Sequence, residues 1–364
     1  MSGPRPARAA VAAFGLLVAV ALTGCGGSHS QHVEDSVAKA AAQTFLREYV
    51  TPAGEVIRRD QGGDVVSEGQ GYAMLLTFAL DDPGRFAKIW AWTRANLQQP
   101  DGLFAYHWQG GAIADPTPAA DADTQIAWAL DLAGSSWSLP GDTAAARRIA
   151  EAIAQHEIGY DDQGHPTLAA GPWAISRGQP VQVEPGYWTF PAYAALAKLT
   201  GDHRWQQLEA SDAAHLTALT GGGAALPPDW ATLGNGAGPA PASAPQTGAA
   251  PASGQDGLRA MVWASCLPAT HALAVRWWHA VAPTARLGPL TRSLQGAPTT
   301  AGPSALSLVA ASAVAKAAGN DTQSAALLKL SSQTITKQST YYGDAWNALG
   351  DILLTTSLIP GCSP

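Results

Sequence analysis

Three acidic positions combine residue type and setting in a way that supports proton-transfer chemistry. Glu68 lies in Ser67-Glu68-Gly69-Gln70-Gly71-Tyr72, Asp121 and Asp123 lie in Ala119-Ala120-Asp121-Ala122-Asp123, and Asp256 stands three residues before Arg259. Each sits near the entrance of a predicted helix, within Gly- or Ala-rich sequence. A carboxyl group is a general acid when protonated and a general base when ionised. Taken singly, each also has a plain structural reading, because Asp and Glu in a first helical turn satisfy free N–H groups and the positive end of the helix dipole. The glycines beside Glu68 leave room for a bulky ligand to approach the backbone. The spacing of Asp256 and Arg259 puts both on one side of a helix.

The elements that must position these groups are helical. Apolar residues recur at i, i+3, i+4 and i+7 in Gly84–Leu97, through Phe86, Ile89, Trp90, Thr93 and Leu97. Asp81-Asp82-Pro83-Gly84 breaks the chain just before it, and Ser67 is placed to cap a helix running through Ala73–Leu80. The pattern repeats in Ile126–Ala133, Thr143–His156, Tyr187–Leu199, Arg204–Leu219, Leu258–Ala280, Ser304–Ala318, Thr322–Thr336 and Tyr342–Thr356. Strand-like alternation is confined to Gly54–Arg59 and Gln179–Val183. About ten or more helices joined by Gly/Pro loops fit an irregular bundle, a solenoid or an α/α toroid. No self-similarity of solenoid length is present. Gly234–Gly254, rich in Ala, Pro, Gly and Ser, reads as a solvated, mobile loop.

The chain has 364 residues, 46% of them apolar and 13% charged, enough to bury a sizeable core. Its net charge of −7 comes without a basic stripe, which argues against nucleic acid as a partner. Arg5 and Arg8 precede the apolar run Ala9–Leu22, too short to span a bilayer stably, so residues 1–24 read as a secretory signal. Leu22-Thr23-Gly24-Cys25 resembles the bacterial lipobox, which implies cleavage before Cys25 and lipid on its thiol and amino group. That gives an exported, membrane-anchored lipoprotein with residues 25–40 as lipidated cysteine and flexible tether. Cys266 and Cys362 remain, and in an oxidising compartment they either pair, tying the C-terminal tail to the body, or stay as buried thiols. No spacing suggests a metal or other cofactor, and the chain reads as a monomer.

Further motifs lie in order along the chain. Ser67-Glu68-Gly69-Gln70-Gly71-Tyr72-Ala73-Met74 is followed by Trp90-Ala91-Trp92-Thr93-Arg94-Ala95-Asn96-Leu97, Asp101-Gly102-Leu103-Phe104-Ala105 and Asp121-Ala122-Asp123…Ile126-Ala127-Trp128-Ala129-Leu130. Glu184-Pro185-Gly186-Tyr187, Leu226-Pro227-Pro228-Asp229-Trp230 and Tyr341-Tyr342-Gly343-Asp344 complete the set. Together, from residue 41 to about 356, they resemble glycoside hydrolase family 8, the family of bacterial endoglucanases. The signature usually has Ser or Thr where Ala120 stands, and Tyr and Ala flank the base where Gln255 and Gly257 stand. The Glu184 segment is usually written Asn-Pro-Ser-Tyr, so Gly186 replaces Ser.

The resemblance implies an all-α, (α/α)6 barrel over residues 41–364, with an open cleft, and hydrolysis with inversion at the anomeric carbon. Its catalytic residues would be Glu68 as acid, Asp256 as base and Asp121 as support for substrate and proton network. Such chemistry needs an acid for the departing oxygen and a base on the opposite face, with space for water between them. Asp123 and Arg259 are assigned to substrate binding with Tyr187, Trp108, Trp230 and Tyr342. Asp123 would stand behind Asp121, and Arg259 would keep Asp256 ionised. Trp173 and Trp188 are further loop aromatics suited to pyranose C–H faces, whereas Trp90 and Trp128 fall on apolar helical faces. The expected activity is endo-β-1,4-glucan hydrolysis, with chitosan, mixed-linkage glucan or xylan as alternative substrates. A polysaccharide-binding lipoprotein with degraded catalysis is the alternative function.

Overall fold

The computed structural model describes residues 1–3, 26–221, 225–234, 236 and 238–362, giving only the backbone of 26–33. The proposed signal segment and Cys25 lie outside the described residues. Twelve α-helices are described: α1 (Gly26–Tyr49), α2 (Ser67–Ala79), α3 (Pro83–Asn96), α4 (Ala120–Ser136), α5 (Pro140–His156) and α6 (Phe190–Thr200), then α7 (Arg204–Leu219), α8 (Gln255–Ser265), α9 (His271–Val281), α10 (Ala305–Ala317), α11 (Asp321–Lys337) and α12 (Tyr341–Thr355). The even-numbered helices form an inner ring. Each packs on the next, from α2 through α4, α6, α8 and α10 to α12, and α12 returns to α2. The odd-numbered helices pack outside them as hairpin partners, and α1 closes against α12 and α2. This is an (α/α)6 barrel.

Sequence explains which helices go inside. α10 and α12 are apolar or small nearly all round and are buried over most of their length, as a helix enclosed by others must be. The barrel centre is filled by rings from four inner helices. Trp346 meets Tyr72 edge-on at 5.5 Å and Trp263 at 5.6 Å, and Trp263 meets Trp128 at 6.5 Å. Such contacts add about 0.5–1.5 kcal/mol each to the area they bury. Trp90 and Trp128 are core residues, as their helical faces imply.

The connections are asymmetric. Those leading from inner to outer helices are mostly short, as at Gly201–His203 between α6 and α7. Those leading into inner helices are longer, except 338–340 between α11 and α12, and carry three small antiparallel sheets: β1 (Val65–Val66), β2 (His107–Gln109) and β3 (Ala112–Asp115); β4 (Ile158–Tyr160) and β5 (Pro166–Leu168); and β6 (Val181–Val183), β7 (Ala231–Leu233) and β8 (Ala240–Pro241). The elaborated loops therefore gather at the N-terminal ends of the inner helices.

Several expectations need correction. The expected tether at 25–40 is, from Gly26, the start of α1, and Ala38 and Ala42 are fully buried in the body. The single helix expected at Leu258–Ala280 is two, because Pro268 removes a backbone donor and opens a 3-10 turn between α8 and α9. Gly54–Arg59 forms isolated bridges instead of a strand. Ser67 is the first residue of α2 and makes no capping bond. The low-complexity loop is anchored: β8 pairs with β7, Ala242 N–H donates to the Trp230 carbonyl at 2.8 Å, and Asp229 N–H donates to the Ala252 carbonyl at 2.8 Å. Backbone pairing needs no large side chains, so composition did not reveal it.

Cys266, which caps α8, is disulfide-bonded to Cys362 with a Cα–Cα distance of 4.5 Å. The bond closes a loop of 96 residues. Cys362→Ser is expected to lower unfolding free energy by about 2–4 kcal/mol in urea titrations, with the same loss when the native chain is reduced.

Candidate active site

The carboxylates converge on one cation. Glu68, Asp121 and Asp256 occupy the first turns of α2, α4 and α8, and Arg259 lies one turn further along α8. Arg259 Nη1 donates to Glu68 Oε2 at 2.9 Å and to Asp121 Oδ2 at 2.7 Å, and Nη2 donates to Asp256 Oδ1 at 2.6 Å. Tyr187 lies against the guanidinium, 5.1 Å from ring centroid to Cζ. One planar fork thus joins residues 191 and 138 positions apart in sequence. Its width bounds the facing Glu68 and Asp256 oxygens at about 8 Å, within reach of the roughly 6.5–9.5 Å separation used by inverting hydrolases.

Polar side chains from helices and loops hold this arrangement. Gln70, fully buried in α2, accepts from Val56 N–H at 2.7 Å and donates to Thr93 Oγ1 at 2.6 Å, fixing the turn that carries Glu68. The space beside Gly69 and Gly71 receives the protein itself rather than a ligand. A Cβ on Gly69 would stand 2.0 Å from the Tyr341 hydroxyl, and one on Gly71 would stand 3.2 Å from Gln125 Cβ. Asp229 Oδ1 accepts from Gly254 N–H at 2.7 Å and Gly257 N–H at 2.8 Å, pinning the start of α8 and with it Asp256. A Cβ on Gly257 would meet the Pro227 carbonyl oxygen at 2.4 Å, which explains the glycine beside Asp256.

Electrostatics separates the acids. Burial raises the Glu68 carboxyl from 4.5 to about 7; Arg259 opposes the rise, and Asp121 and Asp256 add to it. Burial also raises Asp121, with Arg259 again opposing. Asp229 rises to about 6, through burial and then the charge of Asp256. Asp256 is the most open of the three carboxylates on Arg259, its side chain 28% exposed against 17% for Glu68 and 1% for Asp121.

Glu68, Asp256 and Arg259 line an open cavity of about 700 Å³. Tyr187, Trp230 and Tyr342 line it too, as do Trp173, Tyr106, Tyr341, Arg58 and Glu184. A smaller cavity of about 340 Å³ adjoins it, sharing Gln61, Gln255 and Tyr342, so the site is a trough longer than one pocket. Asp121 lies behind the wall, its oxygens taken by Arg259 and by Ala122 N–H at 2.8 Å. The placement of Asp123 in substrate binding is corrected. Two residues apart on a helix means nearly opposite faces, and Asp123 turns into the core, accepting from Phe104 N–H at 2.9 Å beside Glu157. Trp108 is also not at the trough; it is half-buried on β2 with its ring 5.7 Å from that of Trp92. Trp188 is fully buried, donating to the Leu168 carbonyl at 3.0 Å.

A closed double ring of helices, with carboxylates and aromatic rings along a trough at one end, defines an (α/α)6 carbohydrate-active scaffold. The family described as "Glycosyl hydrolases family 8" matches residues 27–353, and the chain belongs to it. An endoglucanase of Cellulomonas uda is 31% identical over 200 residues, covering 54% of this chain and 55% of that protein. A probable endoglucanase of Novacetimonas hansenii is 32% identical over 216 residues, covering 56% and 60%. The aligned stretches thus span less than two thirds of these relatives. Among solved structures, the family 8 endoglucanase Cel10 of Klebsiella pneumoniae superposes with a TM-score of 0.73 at 25% identity, covering 85% of this chain and 97% of that one. A β-1,3-1,4-glucanase of Paenibacillus sp. X4 reaches 0.81 at 20% identity, covering 92% and 93%, and shares the fold.

Beneath the trough, Asp123 and Glu157 form a fully buried carboxyl pair, both held well above their ordinary values by burial and, for Glu157, by Asp123. A raised folded value contributes stability that is present below the ordinary carboxylate range and is lost as pH rises toward the folded value. Glu157→Gln removes one of these titrations. Melting curves from about pH 5 to about pH 9 are expected to fall less steeply for this variant than for the native chain, by up to about 1.4 kcal/mol per pH unit. Parallel curves would remove the pair from this role.

Proposed function

We propose that the chain is an inverting endo-β-1,4-glucanase acting on cellulose-like β-glucan. The observation that carries this reading is the placement of Glu68 and Asp256 on opposite nitrogens of Arg259, at the wall of an open trough. Glu68 Oε2 accepts from both Arg259 and the Tyr72 hydroxyl, the latter at 3.2 Å, so the acidic proton belongs on Oε1. With its value raised to about 7, Glu68 carries that proton in mildly acid to neutral solution and delivers it to the departing glycosidic oxygen. Asp256, ionised, takes a proton from a water that attacks the anomeric carbon from the opposite face. Both carboxyls are restored by proton exchange with solvent. Asp121 works through Arg259, holding the guanidinium between acid and base.

The trough supports internal cleavage, because it continues past the carboxylates along Gln61, Gln255 and Tyr342. Trp173 presents an exposed apolar face suited to a pyranose ring, with the ring of the buried Trp230 6.1 Å from it. The endoglucanase names of the relatives point to the same substrate class. Export is proposed from Arg5, Arg8 and the apolar run Ala9–Leu22, and lipid attachment at Cys25 from Leu22-Thr23-Gly24-Cys25.

The test is hydrolysis of carboxymethylcellulose, mixed-linkage glucan, chitosan and xylan by the native chain, Glu68→Gln and Asp256→Asn. Carboxymethylcellulose is expected to be cleaved internally, with an α-anomer as first product and loss of about 10²–10⁴-fold in kcat for each variant. A β-anomer first product would contradict inversion, and full activity of Glu68→Gln would remove the acid.

A further inference from the structure

Glu184 is a further carboxyl on the trough wall that the acid/base scheme does not use. Glu184 follows β6 and opens the 3-10 turn Pro185–Tyr187, its carbonyl accepting from Tyr187 N–H at 2.8 Å. Its side chain is almost fully buried on the cavity wall, with Oε2 3.8 Å from Arg259 Nη2. Asp256 Oδ1 lies on the same nitrogen at 2.6 Å, which makes the two carboxyls close neighbours.

The backbone enforces this contact. β6 pairs with β7 in antiparallel register, Val183 opposite Ala231, which fixes the chain just before Glu184. The turn then presses on the start of α8: a Cβ on Gly186 would stand 2.2 Å from the Asp256 carbonyl oxygen. Only glycine allows the two segments to come so close, and the approach brings the Glu184 and Asp256 carboxyls to one nitrogen of Arg259.

Two carboxyl groups in contact cannot both be ionised without a large repulsion, so one keeps a proton. Asp256 makes the 2.6 Å charge-assisted bond to Arg259 and is 28% exposed, whereas Glu184 is 5% exposed and farther from the cation. The proton therefore belongs on Glu184. Burial, then Asp256, raises its carboxyl well above the ordinary value, and Arg259 opposes. The charged and titratable groups facing it are Asp256 and Arg259 of α8, Asp121 of α4 and Tyr187 of its own turn.

We propose that Glu184 is a positioning residue for the base: its protonated carboxyl donates a hydrogen bond to Asp256 and fixes the direction in which Asp256 faces the attacking water. The inference rests on the reading of Asp256 as base. As pH rises, ionisation of Glu184 breaks the donated bond and sets a second negative charge against Asp256. The alkaline limb of activity then reports two proton losses, from Glu68 and from Glu184.

The experiment is the pH dependence of kcat and KM on a soluble β-glucan, from about pH 4 to about pH 10, for the native chain, Glu184→Gln and Glu184→Ala. The native plot of log kcat/KM is expected to fall with a slope approaching about −2 on the alkaline side. Glu184→Gln, whose amide donates at every pH, is expected to fall with a slope of about −1 while keeping kcat within about threefold at its optimum. Glu184→Ala is expected to lose about tenfold in kcat with little change in KM. A native slope of about −1, an unchanged slope in Glu184→Gln, or native kcat in a folded Glu184→Ala would overturn the proposal. If Glu184→Ala fails to fold, the Glu184→Gln slope decides. Native kcat in Asp256→Asn would instead overturn the underlying assignment of the base, so the two failures are distinguishable.

Discussion

Arg259 carries a permanent positive charge on a side chain only 2% exposed, between helices from distant parts of the sequence. Taking such a group out of water costs several kcal/mol unless partners surround it. Glu68, Asp121 and Asp256 are those partners, with Glu184 at 3.8 Å. The requirement runs both ways, since the guanidinium is also what allows several acids to share one wall. More carboxyls than cations meet there, so the surplus must hold protons. Burial, with the neighbouring Asp121 and Asp256 adding to it, keeps Glu68 an acid despite the guanidinium.

The barrel makes that cluster reachable. Because the inner helices close into a ring, the first turns of α2, α4, α8 and α12 contribute Glu68, Asp121, Asp256 and Tyr342 to one end of it. Helix N-termini carry partial positive charge and unpaired N–H groups, which suit carboxylates. The aromatic packing of Tyr72, Trp128, Trp263 and Trp346 lies inside the ring and supports the same four helices. Asp229 adds a backbone clamp on α8, so the base sits on a fixed helix end although a long low-complexity loop precedes it.

Much of this was legible in sequence. Helical periodicity located most of the elements, and the ordered motifs around Glu68, Asp121 and Asp256 pointed to groups that the fold does bring together. What periodicity could not supply was contact across the ring. The approach of Glu184 to Asp256 spans 72 residues and the clamp from Asp229 spans 25 and 28, and no local pattern encodes either. Asp123 was misplaced although helical geometry alone turns it away from Asp121. Trp108 was misplaced because flat aromatic residues in loops serve cores and troughs alike. The break at Pro268 carried a signal that the apolar stripe on either side obscured.

Acid catalysis depends on Glu68 remaining protonated in a site that also holds a buried arginine. A carboxyl-carbon NMR titration of the folded chain labelled at glutamate, with Glu68→Gln to assign the resonance, tests this directly. The Glu68 signal is expected to titrate at about 7. A midpoint near the ordinary 4.5 would mean that the guanidinium outweighs burial, leaving no proton for the departing sugar at neutral pH.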